Sequence, residues 1–272
     1  MTVRTALLQG TALLEEAAIA VPRLTAEVLL SHALRRERVY LFSHPEHELT
    51  EVEWIHYGRY LHERLQGKPT QYITRKQEFY GREFRVGPDV LIPRPETEHV
   101  LEVAAGKGAR RVVDVGTGSG ALAVTLALET GAEVWATDLS AKAAAVAREN
   151  AARLGARVGV VVCDLASAIA DGAVDLVVSN PPYVPERERE GMQREVRDYE
   201  PALALFGGPT GFDVYERIAA DAPRVLRPGG WLVMELGFGA HERVAEMLAG
   251  WELVETTPDL AGIPRVIAAR RA

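Results

Sequence analysis

The sequence predicts an α/β protein with a mostly parallel sheet, preceded by a small helical bundle and a β-hairpin linker. From residue 111 onward, short Val-rich runs alternate with helical stretches, which is typical of parallel strands covered on both faces. Residues 3–66 instead carry apolar side chains at helical spacing. Between them, residues 78–80 and 83–86 have the pattern of a hairpin. We therefore expect three segments, at 1–75, 76–98 and 99–272.

The later segment contains a regular series of predicted elements. The predicted strands are residues 112–115, 133–137, 158–163, 174–179 and 231–236, the last strand of the chain. The predicted helices are residues 96–105, 121–129, 141–154 and 214–226. Because ligands bind outside the carboxyl ends of the strands in open α/β sheets, functional residues are expected directly after these strands.

Composition and charge restrict the class of protein. The 272 residues are 47% hydrophobic, enough for a sizeable core, and the single cysteine allows no intrachain disulfide. No secretory leader and no apolar run of about 18 residues is present, so we expect a cytoplasmic protein without membrane contact. The net charge of −7 lies after residue 75, which argues against an extended nucleic-acid surface but is compatible with a local basic patch.

A glycine-rich loop stands where the predicted strand 112–115 turns into a helix. Glycine lets the backbone approach a ligand closely, and we assign cofactor binding to the whole loop: Gly116, Thr117, Gly118, Ser119 and Gly120. The spacing is G-x-G-x-G, so the G-x-G-x-x-G pattern of dinucleotide-binding loops is not met. The alternative is a tight strand-to-helix turn that binds nothing.

An acidic residue ends the next predicted strand. Asp138 lies 22 residues after Gly116, where a carboxylate can accept hydrogen bonds from both hydroxyls of a cofactor ribose. The alternative is an N-cap for the helix 141–154, a role that Ser140 could also fill. We include the neighbouring Leu139 in the same cofactor site.

Asp164 follows the third predicted strand, 158–163. Its carboxylate could accept a hydrogen bond from the exocyclic amine of an adenine, and Leu165 could pack against the ring. An ordinary aspartate at the end of a strand is nearly as good an interpretation.

The tetrapeptide Asn180-Pro181-Pro182-Tyr183 follows the fourth predicted strand. One reaction that such a segment could support is the methylation of a planar nitrogen. This nitrogen is a poor nucleophile because its lone pair is delocalised, so a methylase must hold both N–H groups to direct the lone pair at the methyl carbon. Asn180 Oδ1 and the Pro181 carbonyl are suitable acceptors, and the prolines stiffen the segment. Tyr183 could lie over the planar group. A polar turn is the alternative.

Together, the tetrapeptide and the glycine loop indicate an S-adenosylmethionine-dependent methyltransferase that acts on a planar nitrogen. Asn180, Pro181 and Tyr183 are the candidate catalytic residues, and Pro182 completes the substrate-binding set. S-adenosylmethionine supplies an activated methyl group, so the chemistry requires no metal. The product would be S-adenosylhomocysteine.

The sequence resembles the HemK/PrmC family of protein-(glutamine-N5) methyltransferases over nearly its whole length. The resemblance rests on matching motifs: Gln71-Tyr72-Ile73, Glu78-Phe79-Tyr80-Gly81, residues 90–98, the loop 114–120, residues 179–185, residues 199–203, Gly207-Gly208, residues 211–215 and residues 226–230. The tetrapeptide and the glycine loop occur in many methylases. The linker Val-Leu-Ile-Pro-Arg-Pro-Glu-Thr-Glu is far more specific.

The resemblance implies a class I methyltransferase fold of Rossmann-like type with an N-terminal domain that helps to hold a protein substrate. It implies that S-adenosylmethionine binds through the glycine loop, Asp138, Leu165 and Asn180. The target would be the glutamine in the Gly-Gly-Gln motif of class-1 peptide chain release factors, whose methylation modulates translation termination. No direct contact with nucleic acid is expected.

The sequence departs from the family pattern at three positions. Arg75 stands where the family usually has glycine. Asp-Leu-Ala-Gly is usually followed by Asp-Arg in the family, whereas here Ile263 and Pro264 follow it. Leu165 stands where some members carry an aromatic residue. Two other functions use related features. One is an N6-adenine or N2-guanine methyltransferase of nucleic acids, and the other is a non-catalytic interaction protein that senses the cofactor.

Overall fold

The computed structural model describes all residues, Met1–Ala272, and divides them into two compact units. The helical unit comprises Met1–Lys76 together with Gln193–Tyr199. The sheet unit comprises Gln77–Met192 and Glu200–Ala272. A segment from the later part of the chain therefore belongs to the helical unit, which sequence periodicity does not indicate.

The helical unit is a small bundle with its own core. Its helices are Val3–Glu16, Pro22–Leu34, Arg38–Ser43, Glu51–Leu65, Thr70–Thr74 and Arg194–Tyr199. Leu29, Leu30 and Tyr57 are fully buried in its centre. Since each of these helices has only one apolar face, the bundle is stabilised by burying those faces against one another.

Local signals in the sequence define the ends of two of these helices. At Glu51–Leu65, the Thr50 side chain accepts a hydrogen bond from the Glu53 amide (3.3 Å), and the Glu53 carboxylate accepts one from the Thr50 amide (2.8 Å). This reciprocal capping box satisfies two amides of the first turn. Arg75 ends the helix Thr70–Thr74 with φ +61°, a conformation that suits the glycine usual in the family.

The segment Gln193–Tyr199 is held to the bundle by polar contacts. The Arg64 guanidinium is buried and lies 2.5 Å from the Glu195 carboxylate. The Tyr199 hydroxyl donates to the Gln66 carbonyl at 3.1 Å. This pair is costly to break from the side of Glu195, because the buried Arg64 would then be left without a compensating charge.

The β-hairpin is formed by strands β1 (Lys76–Phe79) and β2 (Arg82–Arg85). Both residues of its turn, Tyr80 and Gly81, have positive φ (+50° and +69°), as a two-residue type I′ turn requires. Phe79 and Phe84 then pack edge to face within a hydrophobic cluster of the sheet unit.

The sheet unit contains a seven-stranded sheet in the order β5-β4-β3-β6-β7-β9-β8. Its strands are β3 (Arg111–Val115), β4 (Glu133–Asp138), β5 (Val158–Val162), β6 (Val174–Ser179), β7 (Leu226–Glu235), β8 (Leu253–Pro258) and β9 (Pro264–Arg270). The first five are parallel, whereas β9 is antiparallel to both β7 and β8. The mostly parallel sheet is thereby confirmed.

The prediction that residues 231–236 form the last strand is wrong, because β8 and β9 follow it. Strand β8 is exposed at nearly every position, so it has neither the apolar run of a buried strand nor a clear alternation. Strand β9 begins at Pro264, a residue that can occupy the first position of a strand. The sequence carries few of the signals by which a strand is recognised at this edge.

Helices cover both faces of the sheet, in agreement with the prediction. The helices of the sheet unit are Thr97–Gly106, Ala121–Thr130, Ala141–Leu154, Ala202–Leu205, Asp213–Val225 and His241–Met247, with a 3-10 helix at Glu186–Gly191. Along β3, Val113 and Val115 belong to one buried cluster and Val112 to another, since successive side chains point to opposite faces. Across the whole chain, the helices lack the combination of length and apolarity needed to span a bilayer.

The strand order determines where a ligand can bind. After β3 the chain builds β4 and β5 on one side, then returns to place β6 on the other side of β3. The carboxyl ends of β3 and β6 therefore lie together at the point where the strand order reverses. In open α/β sheets, this crevice is where ligands bind.

Two glycines inside helices of the bundle allow a matched test of packing. A Cβ on Gly10 would lie 1.9 Å from the hydroxyl oxygen of the buried Tyr57, whereas a Cβ on Gly58 would meet no atom within 4 Å. We expect Gly10→Ala to lower the free energy of unfolding by about 1–3 kcal/mol through overpacking. Gly58→Ala should raise it by up to about 1 kcal/mol through helix propensity.

The measurement is urea unfolding of both variants, followed by circular dichroism. Equal stabilities for the two alanine variants would contradict the close packing of Gly10 on Tyr57.

Candidate active site

The glycine loop after β3 adopts a conformation that favours glycine at three positions. Gly116, Gly118 and Gly120 have φ of +74°, +56° and +83°. A Cβ on Gly116 or Gly118 would stand in open space, whereas one on Gly120 would lie 3.2 Å from the Ala147 backbone. The first two glycines thus leave room for a ligand, and the third allows two helices to pack closely.

Buried hydrogen bonds fix the shape of this loop. The amides of Gly116 and Thr117 both donate to the Thr137 carbonyl at 2.9 Å. The Thr117 hydroxyl donates to Asp114 Oδ2 at 2.6 Å. Burial raises the pKa of Asp114 to about 7, with the Thr117 hydrogen bond acting in the opposite direction. The loop is therefore preorganised by strands β3 and β4.

Asp138 ends β4 with both carboxylate oxygens facing backbone amides. Oδ2 accepts from the Gly118 amide at 2.9 Å and Oδ1 accepts from the Ser140 amide at 2.8 Å. The Ser140 side chain accepts from the Ala143 amide at 3.2 Å, so Ser140 is the N-cap of the helix Ala141–Leu154. The alternative role for Asp138 as the cap of that helix is thereby excluded.

Asp164 and Leu165 follow β5. Asp164 Oδ2 accepts a hydrogen bond from the Arg217 guanidinium at 2.6 Å, and both side chains are about half exposed. Leu165 has φ +46°, an uncommon conformation for a branched residue. Its side chain packs against the buried cluster that contains Val113 and Val115. Arg217, on the helix Asp213–Val225, has no motif around it in the sequence.

The tetrapeptide continues directly from β6, and hydrogen bonds of the residues before and after it hold it in place. Ser179 Oγ donates to the Val115 carbonyl at 2.7 Å, which joins the ends of β6 and β3. The Val184 amide donates to the Leu205 carbonyl, and the Gly207 amide donates to the Val184 carbonyl at 3.0 Å. The segment is thus held from both ends.

Three glycines make room for the tetrapeptide. A Cβ on Gly207 would lie 2.5 Å from the Pro182 carbonyl oxygen, and one on Gly211 would lie 2.4 Å from the Tyr183 carbonyl oxygen. A Cβ on Gly237 would lie 2.7 Å from Cδ2 of the Tyr183 ring. The sequence predicted no site role for these glycines, although two of them belong to family motifs.

The side chains of Asn180 and Tyr183 differ in their surroundings. Asn180 Nδ2 donates to Thr97 Oγ1 at 3.0 Å. Burial raises the pKa of Tyr183 to about 12, with the negative charge of Glu235 acting in the same direction. The phenol of Tyr183 therefore stays neutral and offers a flat, uncharged surface.

The linker before the helix Thr97–Gly106 is anchored within the sheet unit. The Glu200 carboxylate, almost fully buried, accepts from the Ile92 amide at 3.2 Å and from the Arg94 guanidinium. These contacts join two of the motifs that carry the family resemblance and that are distant in the sequence.

A cavity of about 210 Å³ lies at the carboxyl edge of the sheet. It is lined by most of the predicted site residues: Gly116, Gly118, Asp138, Leu139, Asp164, Leu165, Asn180, Pro181 and Pro182. Thr117, Ser119, Gly120 and Tyr183 do not line it. It is also lined by residues for which the sequence predicted no site role, including Asp89, Val90, Leu91, Leu203, Phe206 and Arg217.

Two family models match the chain. The "PrmC N-terminal domain" matches residues 5–74, and the "Methyltransferase small domain" matches residues 95–197. A curated relative from Koribacter versatilis, named release factor glutamine methyltransferase, is 49% identical and covers 95% of this chain and 94% of its own. The chain belongs to the release factor glutamine methyltransferase family.

A second member of this family, from Nitratidesulfovibrio vulgaris, is 44% identical and covers 95% of this chain and 91% of its own. The predicted family, its enzyme class and its use of S-adenosylmethionine are confirmed.

Solved structures confirm the fold class. A methyltransferase from Pyrococcus furiosus aligns with a TM-score of 0.54 at 17% identity, over 71% of this chain and 91% of its own. The catalytic domain of hMettl16, crystallised with a MAT2A 3′UTR hairpin, aligns with a TM-score of 0.56 at 20% identity, over 77% and 81%. At these identities the likeness concerns the fold alone.

Two glycines with positive φ provide a matched test of the loop as a cofactor site. Gly116 and Gly172 have φ of +74° and +61°, and a Cβ on either would meet no atom within 4 Å. Only Gly116 lines the cavity. We expect both alanine variants to lose about 1 kcal/mol of stability through backbone strain.

Gly116→Ala should in addition weaken the binding of S-adenosylhomocysteine by about tenfold or more, equivalent to about 1.4 kcal/mol. Gly172→Ala should leave it unchanged in isothermal titration calorimetry. Equal affinities for the two variants would remove Gly116 from the site.

Proposed function

We propose that this protein transfers a methyl group from S-adenosylmethionine to the side-chain amide nitrogen of the glutamine in the Gly-Gly-Gln motif of class-1 peptide chain release factors. The observation that carries the proposal is the hydrogen bonding of Asn180. Its Nδ2 is committed to Thr97, and no group of the chain donates to its Oδ1. The names of the relatives, 44–49% identical, support release factor glutamine as the target.

The cavity supports the assignment of the cofactor residues. Gly116 and Gly118 leave the space that side chains would otherwise fill, and Asp138 presents a carboxylate at the same edge of the sheet. Each Asp138 oxygen accepts one backbone hydrogen bond and keeps a further lone pair for a ribose hydroxyl. Bound S-adenosylmethionine supplies a methyl group that is already activated for displacement.

Asp164 and Leu165 complete the proposed cofactor site. Since Arg217 occupies one oxygen of Asp164, the other oxygen is the acceptor for the adenine amine. Leu165 would pack against the ring from the cavity wall.

The tetrapeptide supplies the substrate contacts. An amide nitrogen carries two N–H groups, and Asn180 Oδ1 with the Pro181 carbonyl can accept one hydrogen bond from each. Holding both hydrogens directs the nitrogen lone pair toward the methyl group, which is an alignment effect rather than acid–base catalysis. The neutral Tyr183 ring packs against the planar amide and restricts its tilt.

The decisive experiment is methyl transfer from labelled S-adenosylmethionine. We expect label on a class-1 release factor and none on a release factor whose Gly-Gly-Gln glutamine is changed to alanine. Duplex DNA and RNA serve as the other acceptors, since base amines meet the same pair of hydrogen-bond acceptors. Label on nucleic acid, with none on release factor, would refute the proposal.

Two substitutions should separate substrate alignment from cofactor binding. We expect Asn180→Ala to lower kcat by about 10²–10³-fold, as with the loss of one preorganised transition-state contact, while the Kd for S-adenosylhomocysteine changes little. Asp138→Ala should instead raise that Kd through loss of a charge-assisted contact. Steady-state kinetics and calorimetry test the pair, and wild-type turnover in Asn180→Ala would contradict the assigned role.

A further inference from the structure

Behind Asn180 lies a line of three hydrogen-bonded side chains. Asn180 Nδ2 donates to Thr97 Oγ1 at 3.0 Å, and Thr97 Oγ1 donates to Glu235 Oε2 at 2.5 Å. Thr97 opens the helix Thr97–Gly106, and Glu235 is the last residue of β7. Both are buried, with 5% and 2% of their surface exposed. Their polar contacts therefore form without competition from water.

The number of protons on each group fixes which group donates and which accepts in each of the two hydrogen bonds. An ionised carboxylate only accepts, so the single hydroxyl hydrogen of Thr97 must go to Glu235. The Thr97 oxygen is then left with lone pairs only, and its contact with Asn180 requires the amide NH₂ of that residue. Asn180 Oδ1 must consequently lie on the opposite side of the amide group.

We propose that Thr97 and Glu235 are positioning residues, which hold the Asn180 amide with its oxygen toward the substrate nitrogen. The inference rests on the proposed function, because an orientation of Asn180 matters only if its Oδ1 receives a substrate N–H. Neither residue touches the substrate in this scheme. Their effect is on the geometry of the contact that Asn180 makes.

Reversing the line would reverse the chemistry of Asn180. If Glu235 carried a proton, it could donate to Thr97, and the Thr97 hydroxyl would be free to donate to the Asn180 side chain. The amide would then turn so that its oxygen faces Thr97 and its NH₂ faces the substrate. Two N–H donors would oppose each other, and the substrate amide would lose one of its acceptors.

The surroundings of Glu235 place this reversal within an accessible pH range. Burial raises the pKa of Glu235 to about 7, and Glu96 acts in the same direction. The Thr97 hydrogen bond and the charges of Arg265 and Arg94 act against it. Two neutral phenols also face the Glu235 residue: Tyr183 near its carboxylate and Tyr215, whose hydroxyl donates to its carbonyl at 2.9 Å.

The sign of the pH effect follows from the ionised form being the competent one. As the pH falls through about 7, Glu235 takes up its proton and the fraction of correctly oriented Asn180 decreases. We therefore expect kcat to fall as the pH drops below this pKa and to level off about 10–100-fold lower, because Glu235 positions Asn180 and does not itself react. Glu235→Gln cannot titrate, so its kcat should be constant between pH 6 and pH 8.

Substitutions of Thr97 test the hydroxyl directly. Thr97→Val keeps the shape but removes the hydroxyl, and we expect it to lower kcat by about 10–100-fold, as outer contacts of a site commonly do. Thr97→Ser keeps the hydroxyl and should retain most of the activity. Thr125→Val is the matched control, since Thr125 is fully buried on the helix Ala121–Thr130 and its hydroxyl has no partner.

The experiment measures kcat at saturating release factor and S-adenosylmethionine, together with the Kd for S-adenosylhomocysteine. Support consists of a loss in kcat for Thr97→Val with unchanged Kd, recovery in Thr97→Ser, a fall in wild-type kcat at low pH, and a kcat of Glu235→Gln that does not change with pH. Equal kcat for Thr97→Val and wild type, equal losses for Val and Ser, or a flat wild-type pH profile would overturn the inference.

If a variant fails to fold, a flat wild-type pH profile would still overturn the inference. Because burial also raises the pKa of Asp114 to about 7, a fall at low pH is assigned to Glu235 only when Glu235→Gln lacks it. Failure of the proposed function has a different signature, because the wild-type protein would then leave the release factor unlabelled at every pH. Wild-type labelling together with an unaffected Thr97→Val variant would refute the positioning role alone.

Discussion

The parallel pairing of β3 with β6 is the constraint on which the site depends. Val112, Val113 and Asp114 on β3 stand opposite Leu176, Val177 and Val178 on β6. This register brings the glycine loop after β3 beside the tetrapeptide after β6, although about 60 residues separate them in the chain. A shift by one residue would exchange the two faces of the strand, so the apolar clusters on both faces also fix the position of the site.

Much of this arrangement could be predicted from the sequence, because its signals are local. The helix Ala141–Leu154 matches the prediction at both ends, with Ser140 as its N-cap and Gly155 in the left-handed conformation after it. Strand β6 likewise matches at both ends, since this strand is buried at every position and carries an apolar run at residues 176–178. The glycine loop and the tetrapeptide were identified because backbone demands restrict which residues can occupy them.

Other features could not be predicted, for two physical reasons. The exposed strand β8 obtains its backbone hydrogen bonds from β9 without burying an apolar face, so periodicity gives no signal. The contact between Thr97 and Glu235 joins residues 138 positions apart. Such a pair has no spacing that a single sequence can reveal, and the same holds for Arg217 and Asp164. The sequence therefore identifies the residues that bind or react more clearly than the residues that hold them in position.

The path of the chain after the tetrapeptide limits how far the protein can be treated as modular. Residues 193–199 leave the sheet unit, add a helix to the bundle through Arg64 and Gln66, and return at the buried Glu200. A chimera that exchanged only residues 1–75 between relatives would pair a foreign bundle with the original inserted helix. Substitutions in the bundle and in the inserted helix are thus expected to co-vary among relatives, even though the gene encodes the two segments far apart.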